Sequence, residues 1–185
     1  GTDASLGITA TGNSFSSVGS AMMHEVQIAG LERFTTYYYQ VVTGQASSQV
    51  QSFKTPPFAS DEQSFRFVAM SDMQKSSADP LKYDEVIHDG VLDYLEQNLT
   101  GVASEDLALV LIPGDLVDSG NSYDQWEEGF FQYSTDLFGK VPVYPVLGNH
   151  ESNTQYYFQY FHLPQNGTDG YEEHWWRKDY GNVRF

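Results

Sequence analysis

The chain has 185 residues, 40% apolar and 15% aromatic, which is the composition of a folded globular protein and excludes an extended disordered one. Nine basic residues against 25 acidic ones leave a net charge of −16, which disfavours nucleic-acid backbones and anionic membrane surfaces as partners and favours cations. There is no cysteine, so disulfide frameworks and thiolate metal sites are excluded, and no stretch approaches the length of a membrane span.

Between residues 22 and 55 the chain alternates in the period of a half-buried strand. His24, Val26 and Ile28 are separated by Glu25 and Gln27, and Tyr37, Tyr39 and Val41 by Tyr38 and Gln40. A third run, 49–54, follows a turn around Gly44. Short strands at this spacing predict an all-β segment over 1–57, part of a small sandwich. The stretch 56–64, PPFASDEQS, joins two prolines to small and polar residues without periodicity, and 58–64 reads as a linker.

The pattern then changes. Compact apolar runs at 65–70, 107–112 and 141–147 predict buried strands, and helical patterns lie between them. Asp79 can cap a helix that starts at Pro80 and places Tyr83, Ile87, Val91 and Leu95 on one face. Ser122 and Gln125 fit a capping box ahead of Trp126, Phe130, Tyr133 and Leu137, and Gly139 is placed to stop that helix. The βαβαβ order over 65–185 predicts an α/β sheet with helices on its faces. Residues 58–185 also hold 22 of the acids and seven of the bases.

In open α/β folds, sites form beyond the carboxyl ends of the strands. Each predicted strand ends in a residue able to ligate: Asp72, Asp115 and Asn149. Any one alone is most simply a turn former or helix cap; three at the same ends of three strands point to a metal site. Oxygen donors with imidazole suit Mn, Zn or Fe. A carboxylate can bridge two cations about 3.5–4 Å apart, a pair that activates water and clamps a phosphoryl group.

The runs Ser71-Asp72-Met73-Gln74, Gly114-Asp115-Leu116-Val117-Asp118 and Gly148-Asn149-His150-Glu151 resemble, in order, the motifs of the calcineurin-like metallophosphoesterases. The stretch 24–41, with Gly30-Leu31, Thr35, Tyr37 and Tyr39, is similar to the fibronectin type III-like domain that precedes the catalytic domain in purple acid phosphatases and bacterial relatives. The resemblance implies an amino-terminal half of an α/β/β/α sandwich over 65–185, behind a partial sandwich over 1–57. It implies two divalent or trivalent metal ions, Mn, Zn or Fe, and a phosphate monoester or diester as substrate, attacked by a metal-bridged hydroxide. Asp72 would bind the first metal, with Gln74 beside it where most of the family has histidine. Asp115 would bridge, and Asn149 would bind the second metal. His150 would face the phosphate, oriented by Asp118. Purple enzymes have tyrosine at the position of Asp118, so a purple Fe(III) enzyme is not implied. Later family motifs supply further histidines, and a carboxyl-terminal segment or a second chain would have to provide them. The resemblance also implies an extracytoplasmic parent protein. A competing reading is a non-catalytic assembly or binding module that keeps the fold without the metals.

The remaining residues with chemical potential have plainer readings. His24 is structural, His88 stands off the apolar face of its helix, and His162 and His174 are surface residues. Tyr156, Tyr157, Phe158, Tyr160 and Phe161 fall at helical spacing and predict core packing. Trp175 and Trp176 are expected to pack likewise, on a strand over 171–180.

Overall fold

The structure, a computed structural model, describes residues 1–17 and 19–185. Its centre is a three-stranded parallel sheet of β7 (Phe67–Ala69), β8 (Leu109–Pro113) and β9 (Val143–Val146), in the order β7-β8-β9. Val68 pairs with Val110, and Leu111 with Tyr144. Only the central strand is buried along most of its length, as its run of branched aliphatic residues requires. β7 departs from the buried strand expected of it: Phe67 is 46% exposed and Ala69 is also open, because β7 lies at the sheet edge. β9 forms the other edge and carries Pro145, whose missing N–H an edge strand tolerates. The Pro145 carbonyl accepts bonds from Trp176 Nε1 at 2.7 Å and Tyr157 Oη at 3.1 Å.

The crossovers are helical. Lys82–Asp84, Glu85–Leu92 and Asp93–Asn98 run on as one helix, α1, whose middle is wound in wider i to i+5 turns. Its buried face is Tyr83, Ile87 and Leu95, with Val91 packed against the same core, as the periodicity predicts. The start differs from expectation. Asp79 pairs its backbone with Ser76 in a turn, and the helix begins only at Lys82, without a side-chain cap. A short helix α2 (Ala103–Asp106) leads into β8.

The second crossover, α3, comprises Gln125–Phe131, again in wider turns, and Gln132–Phe138. It buries Trp126, Phe130 and Leu137 completely. The expected capping box does not form, since Gln125 Oε1 accepts from Ser119 N at 3.0 Å instead of from Ser122. Gly139 does close the helix, and a side chain there would press to 2.7 Å from the Thr135 carbonyl. α4 (Gln155–Tyr160), capped by Thr154 Oγ1, completes this layer. Tyr156, Tyr157 and Phe161 are buried and Phe158 and Tyr160 pack against the main core cluster, while Ala108, Leu109 and Tyr180 form a smaller second one.

The chain beyond α4 departs from its predicted strand. Residues 171–178 carry no strand, with a turn and bend over 172–175, and only β10 (Asp179–Tyr180) and β11 (Val183–Arg184) pair, as a tight hairpin around Gly181. Trp176 is partly buried, as expected, but Trp175 is 46% exposed and stacks on Tyr171 with ring centroids 5.1 Å apart.

The amino-terminal segment consists of antiparallel ribbons: β1 (Asn13–Ser16) with β2 (Met22–Glu25), β3 (Thr36–Tyr39) with β6 (Gln51–Lys54), and β4 (Val42–Thr43) with β5 (Ala46–Ser47). The alternation at 24–28 becomes strand only through Glu25, and Val26 and Ile28 are exposed. The ribbon β3-β6 rests on the α/β layer. Lys54 Nζ meets Glu105 Oε2 at 2.9 Å, Ser52 Oγ meets Ser104 Oγ at 2.7 Å, and Tyr39 donates to the Gly139 carbonyl.

Candidate metal and phosphate site

The carboxyl ends of β7, β8 and β9 point the same way because the strands are parallel, and neighbouring strands lie about 4.8 Å apart. Asp72 follows the first, Asp115 the second and Asn149 the third. Asp72 has φ +56° and Asp115 φ +54°, a left-handed conformation that costs on the order of 1–3 kcal/mol each where a residue has a side chain. Asp is among the residues that tolerate it best.

The second and third loops are locked together. Gly114 and Gly148 lie so close that a side chain at Gly114 would sit 2.8 Å from the Gly148 Cα. A side chain at Gly148 would collide with Asp115 Oδ1. The His150 amide donates to Asp115 Oδ1 at 3.2 Å, and the Gly120 amide to the His150 carbonyl at 2.9 Å.

Glu151, which the sequence presents only as the last letter of a motif, is the buried centre of this arrangement. It is 0% exposed. Its Oε2 accepts from the amides of Gly148 at 2.7 Å and Asp115 at 3.0 Å; its Oε1 accepts from Leu116 at 2.7 Å and Val117 at 3.3 Å. A buried acid needs such donors, since burying it unpaired costs several kcal/mol. An acid between a glycine turn and a helix start was the available signal, but no periodicity marks it.

His150 is half-buried, and its Nδ1 donates to the Asp118 carbonyl at 2.7 Å. The Asp118 carboxylate stands 3.7 Å from the same nitrogen. Asp118 therefore orients the ring first through its backbone. The bond to that carbonyl raises the His150 pKa, burial opposes it, and the charges of Asp115, Asp118 and Glu151 add to the rise.

Around Asp72, Ser71 Oγ donates to Asp72 Oδ2 at 2.6 Å and Lys82 Nζ to the Asp72 carbonyl. Gln74 has a buried Oε1 without a hydrogen-bond partner, an acceptor left open two residues from Asp72. The other histidines stand apart. His24 is exposed on β2 and His162 is exposed 3.7 Å from Glu25. His174 packs against Phe158, while His88 bridges Asp84 of α1 and Asp136 of α3. Among the described residues no three histidine or acidic side chains converge as a metal site. The donors beside the sheet are two carboxylates and two side-chain amides, which fit a hard cation in chemical type.

The calcineurin-like phosphoesterase family matches residues 65–183, and the purple acid phosphatase N-terminal domain matches residues 2–55. An acid phosphatase of Aspergillus ficuum is 44% identical over 61 residues, 32% of this chain and 10% of that protein. Purple acid phosphatase 22 of Arabidopsis thaliana is 28% identical over 132 residues, 71% of this chain and 25% of that protein. The purple acid phosphatase PPD1 from yellow lupin (Lupinus luteus) seeds superposes with a TM-score of 0.66 at 20% identity, over 95% of this chain and 36% of its own. The chain thus spans a quarter or less of the two curated relatives it matches.

Proposed function

The chain belongs to the calcineurin-like phosphoesterase family, and from that premise we propose that its parent protein hydrolyses phosphate monoesters or diesters at a two-cation centre. The observation that carries the reading is the exit of Asp72, Asp115 and Asn149 from three neighbouring parallel strands at one end, with His150 tethered to the same loops. Asp72 and Gln74 would hold the first cation, Asp115 both, and Asn149 the second. Bound cations of this type lower the pKa of water and neutralise phosphoryl charge. His150, held at Nδ1, presents Nε2 as the nitrogen that meets the phosphate or protonates the leaving oxygen. The Asp118 carbonyl keeps the proton on Nδ1 when the ring is neutral and would make Nε2 an acceptor; the charged ring donates from both, and the raised pKa favours that form. The remaining donors are assigned to a further segment of the parent protein or a second chain. An extracytoplasmic location belongs to the same reading and rests on the resemblance alone.

A non-catalytic module is the second reading, favoured by the absence of three converging histidine or acidic side chains among the described residues. Metal content by mass spectrometry and turnover of p-nitrophenyl phosphate with added Mn or Zn separate the two. About two metals per chain, with turnover abolished by Asp115→Ala, supports the enzyme. No metal and no turnover, in a parent protein shown to be folded, leaves the binding module.

A further inference from the structure

We propose that Glu151 is a positioning residue that sets the metal-binding loops, resting on the metal-site reading above. Three observations carry this. Its carboxylate is fully buried, which is uncommon for an acid and demands a structural or functional cause. All four of its bonds are to backbone amides, and they come from both loops: Asp115, Leu116 and Val117 after β8, and Gly148 after β9. One oxygen, Oε2, joins Asp115 directly to Gly148, the residue before Asn149. The distance between the two ligand-bearing turns is therefore fixed through a single atom.

The backbone closes around the same residue. A side chain on Gly120 would collide with the Glu151 carbonyl, and Gly120 donates its amide to the His150 carbonyl. Asp115 keeps its left-handed φ of +54° while its own amide is held by Glu151. Fully buried, with its carboxylate taken up by four backbone amides, Glu151 would reach neither the substrate nor the cations. It acts through Asp115, Asn149 and His150, as partners behind a metal's own ligands do.

Glu151→Gln replaces one acceptor oxygen with an NH2 group that faces amide donors, at nearly unchanged volume. Two measurements test the role, both on the parent protein that supplies the remaining donors. Hydrogen exchange at the Asp115, Leu116 and Gly148 amides should accelerate by about tenfold or more in Glu151→Gln. The dissociation constant for Mn2+, read by electron paramagnetic resonance, should rise about 10- to 100-fold. Faster exchange with Mn2+ affinity unchanged within a factor of about two would make Glu151 merely structural and overturn the proposal. Unchanged exchange would overturn it as well. Wild-type parent protein that takes up no Mn2+ would sink the metal reading itself, and the role of Glu151 with it. Should Glu151→Gln fail to fold, Glu151→Asp answers the same question: it keeps both acceptors but is one methylene shorter, and an Mn2+ affinity equal to that of wild type would overturn the proposal.

Discussion

At the scale of single residues, the site depends on close approach more than on any one strong bond. Gly148 shows this. A methyl group there meets Asp115 Oδ1 and the Asp115 amide, and backbone can yield only by moving the loop. Gly148→Ala is expected to destabilise the protein by about 1–3 kcal/mol, the usual range for overpacking, and to cost more in metal binding than in melting temperature. Calorimetry beside a metal titration checks this; unaltered metal affinity would show that the loops adjust independently. His150 carries a different expectation. In a parent protein with measured turnover, His150→Ala should lower kcat by about 10²–10⁴-fold with little change in metal content, as the loss of a proton-donating group does. Loss of metal together with activity would instead make it a ligand.

At the scale of elements, sequence periodicity marks the apolar faces of the helices but not what those faces meet. α1 and α3 bury Tyr83, Ile87, Trp126 and Phe130 between them and the sheet, and Trp126→Ala should cost about 3–5 kcal/mol, measurable by denaturant unfolding. A smaller effect would mean that the cavity collapses. On the outer side of the same pair, His88 Nδ1 meets Asp84 at 2.6 Å and Nε2 meets Asp136 of α3 at 3.2 Å. Burial alone would lower the His88 pKa, but the bonds to Asp136 and Asp84, with their charges, raise it overall. A raised folded-state value means the stabilisation is complete below the unfolded value of about 6.5 and fades as pH rises through the folded value. The bridge is partly exposed, so solvent screening keeps it to about 0.2–1 kcal/mol. The stability advantage of wild type over His88→Gln should therefore shrink from pH 6 toward pH 8; a constant difference would show that the charge of His88 contributes nothing.

For the whole molecule, the charge of −16 is concentrated in the α/β segment, which therefore repels itself. Raising ionic strength from about 0.01 M to 0.1 M shortens the screening length from about 30 Å to 10 Å. The melting temperature of the metal-free chain should rise by a few degrees over that range, and a fall would mean that attractive pairs such as Lys54 with Glu105 outweigh the repulsion. The same excess of acid favours cation uptake.

The βαβαβ order, the apolar faces of both crossover helices and the three strand-end donors follow from periodicity and residue type alone, because those patterns are local. Asp72, Asp115 and Asn149 were visible as ligand-type residues for the same reason, and the motif order around them carried the family. What depended on partners distant in sequence was not legible. Ser119, not Ser122, took the Gln125 side chain. β7 became an open edge, and residues 171–178 form no strand, unlike the expectation. The Asp118 carbonyl, and not first its carboxylate, came to hold His150. Glu151 is the clearest case. Its identity is written in the sequence, but its four donors lie on two loops that meet only when β8 and β9 are paired, so only the tertiary structure could decide that an acid would be buried there and what it would hold together.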